Sequence, residues 1–156
     1  MPSSKELQTV LREFNLLGYA DESAKYVDNG KNGKIITKQI GEYKYEDEFY
    51  GGEPYSGNET IWFKNKDVFR CVYWGKVAKG IKFGELYDFL RMALMQGPNN
   101  NLVHRGPSEF TEDKFKYTNI CEGTIDEFRQ VERIFINNKE VYTEYFFGGR
   151  VNTQED

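Results

Sequence analysis

Two stretches of this chain say nearly the same thing, and that repetition narrows the possible folds more than any other feature. Residues 59–77 read ETIWFKNKDVFRCVYWGKV and residues 132–151 read ERIFINNKEVYTEYFFGGRV. Sliding Tyr55–Gly75 onto Phe128–Gly148 needs no gap. Glu59 meets Glu132, Ile61 meets Ile134, Asn65 meets Asn138, Lys66 meets Lys139, Val68 meets Val141 and Gly75 meets Gly148. Trp62/Phe135, Tyr73/Phe146 and Trp74/Phe147 exchange aromatic for aromatic, and Tyr43-Lys44-Tyr45 is echoed by Phe115-Lys116-Tyr117 one residue out of step. Two copies are too few for a solenoid, which needs at least about three. The pattern predicts two three-stranded antiparallel meanders, over 42–77 and 115–151, related by a pseudo-twofold and joined into one curved sheet or partial barrel. Neither meander alone covers its edges or its apolar face, so mutual pairing must supply part of the burial.

Helical spacing occurs in two other places. Ser3-Ser4-Lys5-Glu6 has capping-box spacing, and Leu7, Val10, Leu11, Phe14 and Leu17 form one stripe that ends near Gly18. Leu86, Phe89, Leu90, Ala93 and Leu94 form a second stripe within 84–97, closed by Gly97-Pro98. The fold class expected is α+β, a single domain over 1–156 with an N-terminal helix (1–18) and a central helix. Residues 19–41 read as a loop or short hairpin, because Asp28-Asn29-Gly30 and Asn32-Gly33 are turn text. Asn99–Glu109 reads as a polar loop.

Composition excludes several functions. A net charge of −4 and a pI near 5.2 argue against nucleic-acid binding, which rests on clustered Lys and Arg. No apolar run approaches the roughly 20 residues of a membrane helix, and the start lacks an apolar signal core, so a soluble cytoplasmic protein with no membrane partner is expected. Cys71 and Cys121 are expected to be packing thiols, and neither a metal centre nor a cofactor is expected. Aromatic residues make up 16% of the chain and concentrate in the strand text. They fit either strand packing or the walls of a ligand cavity or partner surface.

Alternation puts Glu59 on one strand face with Ile61 and Phe63, and Glu132 with Ile134 and Ile136. A carboxylate on an apolar face must sit at a rim, pair with a cation, or titrate upward. His104-Arg105 supplies an imidazole beside a guanidinium on a loop; it could orient an anionic ligand, or Arg105 could neutralise Glu59 or Glu132. Tyr50, Tyr55, Trp62, Trp74 and Phe147 are candidate walls of a pocket or interface, with core packing as the plain alternative.

Tyr50-Gly51-Gly52, Pro54-Tyr55, Gly57 and Glu59, then Tyr73-Trp74-Gly75, Arg105-Gly106-Pro107 and Gly148-Gly149, resemble in order and spacing a bacterial family of unknown function. The resemblance covers roughly residues 42–151. Members of that family occur as stand-alone small proteins and sometimes behind an N-terminal helix-turn-helix. The resemblance implies a sensing or binding role for the β part and brings no established activity. The first 40 residues hold one helix and a loop, too little for a three-helix DNA-binding unit. Three readings follow: a module binding a small molecule or protein, with Arg105 and Glu59 at its polar rim; a hydrolase or lyase using Glu59, Glu132 and His104; or a structural domain that self-associates, as a homodimer for example.

Overall fold

A helix cannot start without partners for its first amide groups, and Ser3 and Glu6 supply them reciprocally. Glu6 N donates to Ser3 Oγ at 3.2 Å, and Ser3 N donates to Glu6 Oε2 at 2.8 Å. In the computed structural model, which describes residues 1–98 and 103–152, helix α1 accordingly spans Ser4–Leu17 and buries Leu7, Val10, Leu11 and Phe14. The second stripe forms α2, Phe83–Met95, burying Leu86, Phe89, Leu90, Ala93 and Leu94. No helix among the described residues is long and apolar enough to cross a membrane.

The strands are β1 (Val27–Asp28), β2 (Lys34–Ile40), β3 (Tyr43–Gly51), β4 (Tyr55–Phe63), β5 (Lys66–Val77), β6 (Glu109–Glu112), β7 (Phe115–Thr124), β8 (Glu127–Ile136) and β9 (Lys139–Arg150). They form one nine-stranded sheet in the order β1-β2-β3-β4-β5-β9-β8-β7-β6, antiparallel throughout, so the fold is α+β. Two helices and a single open sheet make up the described architecture. Local chemistry sets the hairpins: Lys64 and Asn65 both take positive φ between β4 and β5, as Asn137 and Asn138 do between β8 and β9. The first turn therefore sits one residue earlier than Asn65-Lys66, the pair that the sequence suggested.

Each side of the sheet holds more strands than the expected three. β2 extends one end and β6 the other, with β1 outside β2. Sequence periodicity hides them for a physical reason. In KIITKQI only Ile36 is buried, and β6 is four residues long, so neither shows a strong alternation. β1 and β2 pair as a hairpin within 19–41, one of the two readings that the turn text there allowed. β6 begins at the end of the predicted loop Asn99–Glu109, whose residues 99–102 lie outside the described residues.

Both helices pack on the same face of the sheet. α1 joins Ile36, Tyr45, Ile61, Phe69 and Phe128 in one core cluster, and α2 joins Tyr117, Ile134, Val141 and Tyr142 in another. The two sides meet along β5 and β9, where Cys71 lies opposite Gly148 and Tyr73 opposite Phe146. That seam is tight. A Cβ on Gly148 would stand 2.6 Å from the Arg70 carbonyl oxygen and 2.8 Å from the Cys71 Cα, both of them backbone atoms. Gly148→Val is expected to destabilise the protein by about 2–3 kcal/mol, the cost of overpacking against atoms that cannot move aside. The denaturant midpoint measures it, with Gly52→Ala, whose Cβ meets nothing within 4 Å, as the neutral control.

Candidate functional site

Antiparallel register decides which side chains share the covered face. Asp47 lies opposite Glu59, and Glu59 opposite Cys71. On the other side of the seam Asn119 lies opposite Glu132, and Glu132 opposite Glu144. Four carboxylates thus stand on the face that the helices cover, and all four are buried. A buried carboxylate persists only when hydrogen bonds or cations replace its water.

Tyrosines and two adjacent loop residues perform that replacement. Tyr45 donates to Glu59 Oε1 at 2.8 Å, and Tyr117 donates to Glu132 Oε1 at 2.9 Å. His104 Nε2 lies 2.5 Å from Glu59 Oε2. Arg105 next to it forks onto Glu132, Nε to Oε1 at 3.1 Å and Nη2 to Oε2 at 3.0 Å, and Nη2 also reaches Glu144 at 2.7 Å. Glu144 further accepts from Tyr142, whose hydroxyl lies 2.9 Å from that of Tyr55. Asn119 Nδ2 donates to the Arg105 carbonyl at 2.8 Å and holds the loop in place. Asp47 accepts from Tyr26 and Tyr73, each at 2.6 Å.

These surroundings move the proton affinities apart. Burial pushes Asp47 up to about 6, with the neighbouring Glu59 charge adding to it and the two tyrosine hydroxyls opposing. Burial also pushes Glu144 up to about 7, opposed by Arg105 and reinforced by Glu132. Glu59 is driven up by burial, yet the charge and hydrogen bond of His104 outweigh this and hold its carboxyl below the usual range. Burial raises Tyr19 to about 12 and Tyr26, Tyr55, Tyr73 and Tyr87 in the same direction, so these phenols stay protonated as donors.

A pocket of about 220 Å³ opens over this network. Its floor carries Asp47, Glu59, Arg105 and Glu144. Its walls are Phe49, Tyr55, Tyr73 and Phe146 from the strands, Tyr19 and Tyr26 from the segment after α1, and Tyr87 from α2. Gly51 and Gly52 border it at the β3–β4 turn. The rings meet largely edge to face: Tyr26 with Phe49 at 5.5 Å, Tyr55 with Tyr73 at 6.3 Å, and Tyr19 with Tyr87 at 6.4 Å.

The candidates from the sequence divide into three groups. Glu59, Arg105 and Tyr55 line the pocket. His104 and Glu132 are wholly buried behind it, each paired with a neighbour. Tyr50, Trp62, Trp74 and Phe147 are not among the lining residues, and Trp74 (40% exposed) and Phe147 (59%) point to the opposite face with Val72. The covered face thus carries both the helices and the pocket, while the outer aromatics remain exposed. Sequence reasoning missed Asp47, Glu144, Tyr26, Tyr73 and Tyr87. The rule applied to Glu59 would have found two of them, because Asp47 alternates with Tyr45 and Phe49, and Glu144 with Tyr142 and Phe146.

Glu59, Cys71 and His104 place three ligand-type atoms within 4.8 Å of one another, all buried. A carboxylate, thiol and imidazole suit zinc by type. Their packing does not. Donors around a tetrahedral zinc stand about 3.3 Å apart, given bonds of about 2.0 Å, whereas Glu59 and His104 touch at 2.5 Å. The outer nitrogen of a metal-bound histidine ordinarily has a partner, and Nδ1 of His104 has none among the described residues. Burial raises the Cys71 thiol well above its usual value, which leaves it a neutral packing group. Cys71 and Cys121 are both free.

A family model described as a domain of unknown function, DUF5680, matches residues 47–151, a span that begins within β3 and ends just past β9. No curated protein and no solved structure matches the chain.

Two measurements check the network. Arg105→Met leaves Glu132 and Glu144 buried beside each other without a cation and is expected to cost about 3–5 kcal/mol in denaturant unfolding; adding Glu144→Gln should recover part of that loss. Asp47 and Glu144 hold their protons more tightly folded than unfolded, so acidification favours the folded state. The thermal midpoint should therefore rise as pH falls from about 7 to about 5, and both Asp47→Asn and Glu144→Gln should flatten that rise.

Proposed function

The chain belongs to the DUF5680 family of domains of unknown function, and we propose that it is a small-ligand binding module whose site is the aromatic-walled pocket over the Asp47–Glu59–Arg105–Glu144 floor. One observation carries this reading. Buried carboxylates with raised proton affinity converge beneath one aromatic cavity, and a fold that needed only stability would do better with apolar groups there. Residues from both sides of the seam, from α2 and from the 104–105 loop meet at this pocket. Its volume lies below the roughly 300–1,000 Å³ of sites for drug-sized molecules, so the ligand is small.

The duplication in the sequence supports a further part of the reading. The two sides of the sheet are copies of one meander related by a pseudo-twofold, each with a tyrosine bonded to a buried glutamate. The pocket takes more of its strand lining from the first copy than from the second. Asp47 on one side corresponds to Asn119 on the other, and Cys71 to Glu144, so divergence between the copies built one site instead of two.

A thermal-shift screen over small polar and aromatic compounds tests the module. At least one compound should raise the melting temperature of the wild type and fail to do so for Gly52→Trp, which fills the pocket border from a position whose Cβ has open space. Stabilisation that is identical in both proteins would place binding elsewhere.

A further inference from the structure

We propose that the ligand is a small organic cation, an ammonium group on an apolar or aromatic body, with Asp47 as its counterion; this rests on the binding-pocket reading above. The assignment follows from the charges that the pocket leaves uncompensated. Arg105 is already forked onto Glu132 and bonded to Glu144. Glu59 has the His104 imidazole at 2.5 Å. Asp47 has two tyrosine hydroxyls at 2.6 Å and, among the described residues, no cation within ion-pair distance. It is 6% exposed and lines the cavity. A buried carboxylate served only by neutral donors retains most of its charge toward the open side of the cavity.

The direction of the hydrogen bonds points the same way. Tyr26 and Tyr73, which line the pocket, spend their hydroxyl protons on Asp47, and Tyr87 spends its own on Glu53. What these groups turn toward an occupant is therefore lone pairs and ring faces, so the cavity accepts hydrogen bonds and has few left to donate. An ammonium group donates up to three and accepts none. Aromatic faces add attraction for a cation that is stripped of water. A carboxylate or phosphate ligand would instead meet three carboxylates in the lining, with the one guanidinium already engaged. A neutral apolar ligand would fit the walls and leave Asp47 as it is.

Benzylamine, benzyl alcohol and benzoate share a ring and differ in charge, and calorimetric titration of each into the full-length chain at neutral pH separates the cases. The expected result is benzylamine binding at least about tenfold more tightly than benzyl alcohol, with benzoate not binding. Asp47→Asn should bring the two affinities to within about twofold by weakening benzylamine alone. That variant removes a buried charge, and an unchanged circular dichroism spectrum shows that it folds. Benzyl alcohol or benzoate binding as tightly as benzylamine, with Gly52→Trp abolishing it, would overturn the cation and leave the pocket standing. A benzylamine preference that survives Asp47→Asn would overturn the role of Asp47. No binding by any of the three, together with no thermal shift in the wider screen, would overturn both readings.

Discussion

Four carboxylates on the covered face of one sheet must each find a partner before helices can close over them, and everything else in this structure is arranged around that requirement. An unpaired charge in such a place costs several kcal/mol, a large part of the stability of an ordinary domain. Two neighbouring loop residues meet most of the demand. His104 serves Glu59 and Arg105 serves Glu132 and Glu144, so a single peptide unit compensates acids on both sides of the β5–β9 seam. Tyrosines complete the shell, and this gives the aromatic content of the chain a second purpose beside packing. Tyr45, Tyr117, Tyr73 and Tyr142 are buried with their hydroxyls bonded to carboxylates.

The fourth acid is treated differently. Asp47 receives hydroxyl donors and no cation, and it stands where the covering layer opens into a cavity. That asymmetry between Asp47 and its three neighbours is the ground on which the cavity is proposed as a binding site.

The duplicated text exposed the central strands and their hairpins, and apolar stripes elsewhere exposed both helices, because hydrophobic periodicity and turn residues are local signals. Glu59 and Glu132 were legible for the same reason: a charge that breaks an apolar alternation is visible without coordinates. Arg105 was legible as a partner for Glu59 or Glu132, of which the structure gives it the second. Its simultaneous hold on Glu144 was not, since that depends on register across β8 and β9. β6 escaped, and β2 showed only as half of a possible short hairpin, because the outer strands bury few side chains and so carry little periodicity. Asp47 escaped because its segment, YKYEDEFY, surrounds it with Glu46 and Glu48, exposed-face acids of the same charge, and only the pleat separates the one that turns inward. Trp74 and Phe147, read as walls of a pocket or an interface, lie outside the pocket. Large rings suggest a pocket, but the alternation of β5 and β9 sends these two outward.

The adjacency of His104 and Arg105 bears on how the molecule can be taken apart. A cut between α2 and that loop would leave the first fragment with Asp47 and Glu59 but without the imidazole that meets Glu59, and would give His104 and Arg105 both to the second. The first piece could not close its face on its own terms. The two sides are therefore tied to one another by this shared loop as well as by the backbone ladder at the seam, and a gene encoding only the first half of this chain would specify a buried Glu59 without the partner it has in the whole molecule.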